Sequence, residues 1–401
     1  MKLPGGAGHL TYCSNIHPGE SWPEVRENLH RYVPQVKRAI SPHARFGVGL
    51  RLSAQAARAL GDAQALAQLR AILDEHDLYV FTLNGFPYGP FHGRRVKEDV
   101  YLPDWLDAER LSYTDALADL LAALLPDEAG LSGSVSSVPV GFKPAITTPE
   151  QVAHAATLLV RHVAHLVSVR QRTGKTIALA LEPEPCCYLE TIDEAVAFFE
   201  SYLFAPAAVN ALREATGLDA AAAAQALRLH LGLCLDLCHA AVEYESAPDM
   251  LARLRGAGIN VAKLQLSSGL RIPHVTRDSV DLLRPFDDEV YLHQTIERRD
   301  ARITRHVDLA QAFAALDADG AGTREWRIHF HVPLFLQELG AFSSTQSFLG
   351  EVLDLHRVQP ISPHLEVETY TWGVLPQQYR GRGVVHDLVR ELEWVLARLG
   401  V

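Results

Sequence analysis

Leu233-Cys-Leu-Asp-Leu-Cys-His239 alternates apolar residues and then presents an acid and an imidazole at its end. Period-two alternation is the signature of a strand. Asp236 and His239 stand where a strand gives way to a loop, so both can turn into one pocket. Three other segments carry similar residues. Glu182 and Glu184 close Ile177–Leu181, His329 and His331 lie within Trp326–Pro333, and Glu366 and Glu368 lie within Leu365–Trp372. Carboxylate oxygens and imidazole nitrogens are the donors that a borderline divalent ion prefers.

Working outward, strand and helix patterns alternate along the chain. Strands are expected at His9–Ile16, Phe46–Leu52, Tyr79–Gly85, Ser134–Phe142, Ile177–Leu181, Leu231–His239, Val261–Leu266 and Leu365–Tyr370. Between them lie helix starts of recognisable chemistry. Ser21-Trp-Pro-Glu24, Thr148-Pro-Glu-Gln151 and Thr191-Ile-Asp-Glu194 each read as a capping box. Single helices are expected from Ser21 to about Ile40 and from Ala54 to Glu75. Eight strands each followed by a helix is the pattern of an α/β fold, the (β/α)8 TIM barrel. The barrel is expected as one domain over 9–401. An insertion at about 271–333 separates strands seven and eight, and Arg298-Arg-Asp-Ala301 reads as the turn of a hairpin inside it.

Composition narrows the class. The 401 residues are 48% hydrophobic and 21% charged, ordinary for a globular enzyme. With 37 basic against 48 acidic residues the net charge is −11, and no basic stripe stands out. Nucleic-acid binding through phosphate contacts is therefore not expected. No apolar run is expected to reach the ~18 residues of a membrane span, and Met1–Gly8 lacks the apolar core of a signal peptide. Five cysteines in a chain this long do not form a disulfide framework. A reducing cytoplasm fits, and a homo-oligomer is compatible with everything above.

In a TIM barrel the C-terminal strand ends share one face. Glu182, Asp236, His239, Gln265 and Glu368 then come from four successive strands, spaced ~4.8 Å apart. So many carboxylates in one cleft would repel and raise each other's pKa values. A divalent cation removes that cost. The plainer reading makes each acid a helix N-cap or salt-bridge partner. His329 and His331 share a strand face and are candidates for ligation or substrate contact. Asn84, Tyr88, Trp105 and His17 are candidate pocket residues, with turn and loop packing as the plainer alternative. Lys263 shares a face with Gln265, so it points into the barrel. It reads as the partner of a barrel carboxylate, with a Schiff-base lysine as the alternative.

Leu181-Glu182, Asp236-x-x-His239, Gln265 with Arg271, His329-x-His331 and Val367-Glu368 together resemble the xylose-isomerase-like TIM barrel superfamily. That superfamily includes sugar isomerases, epimerases, dehydratases and endonuclease IV repair enzymes. Thr11-Tyr-Cys-Ser-Asn-Ile-His-Pro-Gly-Glu-Ser-Trp22, Phe46-Gly-Val-Gly-Leu-Arg-Leu-Ser53, Leu181-Glu-Pro-Glu-Pro185 and His329-Phe-His-Val-Pro333 resemble the EboE family of metabolite traffic proteins. The resemblance implies metal ligands at Glu182, Asp236, Gln265 and Glu368. It implies substrate contacts at His239 and Arg271. Gln265 stands where the superfamily has a histidine, and His331 is the alternative source of that nitrogen. The implied cofactor is one divalent ion (Mn, Mg, Zn or Co). The implied reaction is isomerisation or epimerisation of a polyhydroxylated sugar or cyclitol through an enediolate, with Glu182 and Glu368 as base and acid. Phosphoester hydrolysis and non-catalytic metabolite binding are the alternatives. The histidines that build the endonuclease cluster at strands two and three are replaced by Arg51 and Asn84.

Overall fold

The computed structural model describes residues 1–86, 97–287, 292–319, 323–373, 375–379 and 381–401. Seven parallel strands come first: β1 (His9–Tyr12), β2 (Phe46–Arg51), β3 (Leu78–Asn84), β4 (Gly133–Ser137), β5 (Ile177–Leu181), β6 (Leu231–Asp236) and β7 (Asn260–Leu266). Six strands of a separate antiparallel sheet follow: β8 (Gly269–Ile272), β9 (Thr295–Arg299), β10 (Arg302–His306), β11 (Glu325–His331), β12 (Glu338–Leu339) and β13 (Phe342–Ser344). Then β14 (His364–Val367) inserts between β7 and β1.

The eight parallel strands run β1-β14-β7-β6-β5-β4-β3-β2, and a bridge from Cys13 to Gly49 joins the two ends. This is the expected TIM barrel. Its strands are buried along nearly their whole length, as strands covered by helices on one face and barrel interior on the other must be. Leucines, valines and isoleucines form the layer under the helices. The interior is polar instead. The Thr82 and Ser134 hydroxyls meet at 2.8 Å, Ser134 also meets His364 Nδ1 at 2.8 Å, and buried Lys263 pairs with buried Glu366. Glycine makes room for that pair. A Cβ on Gly49 would collide with the Glu366 carboxylate and come within 2.6 Å of the Tyr12 carbonyl oxygen.

All three capping boxes form. The two long N-terminal helices are each broken in two, contrary to expectation. The first divides into Trp22–Arg31 and Val33–Ile40. The second divides at Gly61 and Asp62, where Asp62 Oδ1 caps Ala63–Glu75. Helix Pro149–Thr173 corrects the membrane reading. It is apolar and long enough to cross a bilayer by length and composition, but 61% of its apolar window is buried in the fold. All five cysteines are free and buried.

The second sheet, ordered β10-β9-β11-β8-β13-β12, spans 269–344, wider than the segment read from sequence. Its hairpin turns between Arg299 and Arg302 as expected. Its central strand, β11, changes register between Ile328 and His331. Val332 then donates to the Ser268 carbonyl at 2.8 Å, which fastens the end of β11 beyond β7. That fastening brings His329 and His331 to the barrel.

Candidate functional site

The opening motif folds differently from a plain strand. β6 stops at Asp236, and Leu237–Val242 is a short helix that Asp236 caps. Asp236 Oδ1 accepts from the His239 backbone N–H at 2.9 Å and from the Ser267 hydroxyl at 2.7 Å. The N-cap reading of this acid is therefore correct. It accounts for one oxygen only, because Oδ2 is buried with no hydrogen-bond partner.

Glu182 Oε2 and His331 Nε2 share that condition, as do other buried atoms here such as Asn84 Oδ1 and Gln265 Nε2. His331 Nδ1 lies 2.8 Å from the Glu368 carbonyl oxygen. A carbonyl only accepts, so Nδ1 carries the proton and Nε2 presents a lone pair. Ligand atoms of Asp236, His239 and His331 lie within 4.8 Å of one another, as do those of Glu184, His239 and His329. Unpaired buried acceptors of this kind are costly. Carboxylate oxygens and an unprotonated imidazole, with the imidazole's other nitrogen tied to a carbonyl, form a donor set that fits a divalent ion.

The electrostatics agree. Burial, and then the charges of Glu368 and Asp236, hold Glu182 well above the usual carboxylate range. Burial and then Asp236 push Glu368 up to about 7, while the Gln265 amide beside it works the other way. Burial drives His331 down to about 4 despite Asp236, which keeps its ring neutral and able to ligate.

Glu182, Glu184, Glu368, His239, His329 and Asn84 all line one cavity. Gln265 is fully buried, paired in register with Asp236 on one side and Glu366 on the other. His239 Nδ1 donates to the Pro183 carbonyl at 3.0 Å, and its Nε2 faces His329 Nε2 at 3.1 Å. His329 Nδ1 faces Gln294 Oε1 at 2.9 Å.

Three expected pocket residues lie elsewhere. Arg271, on β8, donates to the Glu325 carboxylate at 2.9 and 3.1 Å in the second sheet and does not line the cavity. The Arg follows Gln265 closely in sequence, but β8 turns away into a different sheet. His17 stacks on Tyr32 at 4.1 Å and meets Tyr12 Oη at 3.1 Å, under the first helices. Trp105 is a core residue whose indole donates to Ser137 Oγ at 3.1 Å. Tyr88 lies outside the described residues. Lys263 is paired: burial pulls its ammonium pKa down, but Glu366 outweighs that and holds it above the ordinary lysine value.

Several lining residues were not picked out from the sequence. Asn15 Nδ2 donates to Glu368 Oε1 at 2.6 Å from the turn after β1. Tyr101 donates to Glu184 Oε1 at 2.7 Å, and Gln294 donates to Tyr101 Oη at 2.9 Å. Tyr101 and Gln294 come from segments with no periodic pattern. Asn15 stands inside the Thr11–Trp22 stretch, where an Asn at a strand end was the available clue.

No family model matches the chain, and no curated protein matches it. Solved structures do. A xylose isomerase-like TIM barrel protein from Mycobacterium smegmatis in complex with magnesium is 13% identical, with a TM-score of 0.50 over 98% of this chain and 96% of that one. The IOLI protein with a bound zinc atom is 14% identical, at TM-score 0.46 over 98% of each chain. A probable 3-DHS dehydratase, AsbF, from Bacillus anthracis is 11% identical, at TM-score 0.45 over 96% and 97%. At 13% identity the likeness to the first of these shows the barrel fold alone.

Proposed function

We propose that this chain is a metal-dependent isomerase or epimerase acting on a sugar- or cyclitol-like small molecule. The observation that carries the reading is that Asp236 and His331 bring ligand atoms within 4.8 Å of one another, with Asp236 Oδ2, Glu182 Oε2 and His331 Nε2 buried and unpartnered and the charges of Glu368 and Asp236 acting on Glu182. Glu182, Asp236, Glu368 and His331 would hold one divalent ion. His331 thus supplies the ligating nitrogen that Gln265 lacks, and the Gln265 amide acts beside Glu368 to lower its pKa. When bound, the ion would act as a Lewis acid toward a carbonyl and adjacent hydroxyl.

The chain's own residues supply the rest. One of Glu182 and Glu368 removes the proton from the carbon beside the carbonyl, leaving an enediolate. The other returns a proton to the opposite face or to the neighbouring carbon. No net electrons or groups are exchanged. Asn15 aims the Glu368 carboxylate. His239, His329 and Asn84 offer polar contacts to substrate oxygens along the cavity. The EboE-like stretches support a place in a bacterial gene cluster that makes or exports a small metabolite. Phosphoester hydrolysis has less support, because Lys97, the cavity's lysine, is bound to Asp308.

The test is elemental analysis of the purified protein, followed by assay of ketoses and keto-cyclitols in deuterated water. Solvent deuterium at the carbon beside the carbonyl is expected. If Glu182→Gln and Glu368→Gln both keep wild-type metal content and exchange, the reading is wrong.

A further inference from the structure

The cavity's polar groups occupy only part of its lining. Phe86 beyond β3, Val100 in the turn Lys97–Tyr101, Leu292 before β9 and the ring of Tyr370 beyond β14 line it too. All four are partly exposed, so the fold does not seal them. Scattered surface apolar residues are ordinary. Four from separate elements, gathered around one concave site, mark a surface kept for an apolar occupant.

Charge restricts the occupant further. Three glutamates line the cavity. Among the described lining residues Lys97 is the fixed cation, and Asp308 from the insertion holds it in an ion pair. Among the described lining residues, a phosphorylated substrate would meet acidic walls with no free lysine or arginine to receive it.

We propose that the substrate has two chemically distinct parts. One is a neutral polyhydroxylated head that sits at Glu182, Glu368 and His239. The other is an apolar ring or chain attached to it, which packs on Phe86, Val100, Leu292 and Tyr370. This rests on the function proposed above and names its substrate class.

Matched ligand pairs test it: methyl against phenyl β-D-glucopyranoside, and O-methyl against O-benzyl myo-inositol. Calorimetry is run on the full chain with manganese and again with EDTA. In at least one pair the aromatic member should bind at least about tenfold tighter, since even one methylene in an apolar pocket is worth on the order of tenfold. Leu292→Asp and the milder Val100→Ser should each cut that gain to roughly threefold or less. Equal affinity within every pair overturns the proposal. So does the absence of binding by every ligand, or a gain that survives both substitutions. A gain that persists in EDTA, with no metal in the purified protein, leaves this proposal standing and removes the metal-dependent reading instead.

Discussion

His331 Nδ1 donates to the backbone carbonyl of Glu368 at 2.8 Å. The bond joins the inserted sheet to the last barrel strand, and it fixes which imidazole nitrogen is free. It also explains how a barrel with Gln265 at β7 can offer nitrogen to an ion. His331→Ala should therefore lower metal affinity by at least about 10–100-fold, the range seen when even an outer partner of a ligand is lost. Gln265→Ala should lower it less. Competitive titration against a chromophoric chelator checks both. A larger loss in Gln265→Ala would move the nitrogen's role back to β7.

The raised carboxylates make the metal-free protein sensitive to alkali. Glu368 and Glu243 are pushed to about 7 and Glu391 to about 8, in each case first by burial. A folded-state pKa above the unfolded value means that the folded state binds more protons. Stability then falls as pH rises toward the folded pKa. The buried histidines act oppositely: His331, His9 and His230 are held near 4, so protonation of the unfolded chain costs stability below about 6.5. Above that pH the raised carboxylates pull stability down, opposed up to about pH 8 by the Met1 amino group alone, which burial lowers to about 4. In EDTA, Tm should drop between pH 6.5 and 8.5, and Glu368→Gln should flatten the slope. Added Mn²⁺ should also flatten it, because the ion favours the carboxylate form. Scanning calorimetry with and without chelator reads all three.

The buried Lys263–Glu366 pair gives a third expectation. Removing one partner of such a pair typically costs about 3–5 kcal/mol, because the other charge stays buried and alone. Lys263→Met should show a loss of that order in urea melts, and Lys263→Met with Glu366→Leu should recover most of it. Because the ammonium is held charged, borohydride with a carbonyl ligand should trap no adduct at Lys263. A trapped adduct would make the chain an aldolase.

The barrel was legible because its signals are local and repeated. The continuous apolar run of β5 and the proline-bearing capping boxes state their structure within a few residues. Glu182, Asp236, Gln265 and Glu368 were legible because strand ends of a barrel converge whatever their sequence distance. His331's part was only half legible. It depends on a register change in β11 that carries no sequence mark. Asn15, Tyr101 and Gln294 act through irregular segments, where spacing implies no direction. His17 was misread for the same reason, since a stack on Tyr32 depends on how two short helices pack.

Arg271 tests the same boundary between sheet and barrel. Sequence spacing made it a substrate contact, whereas the structure puts its guanidinium on Glu325 with Arg298 and Arg327. Its side chain is 33% exposed, and Glu325 keeps two arginines without it. Arg271 is the exposed member of the pair, and because those two arginines remain its loss leaves no uncompensated charge and should cost near the ~0–1 kcal/mol of surface pairs. Arg271→Ala should therefore leave metal content and ligand affinity within twofold of wild type, a change of roughly 0.4 kcal/mol, with only a slight loss of thermal stability. A tenfold fall in affinity for a polyhydroxylated ligand, at unchanged stability, would mean that β8 swings over the cavity when substrate binds. The second sheet would then be a moving part of the site.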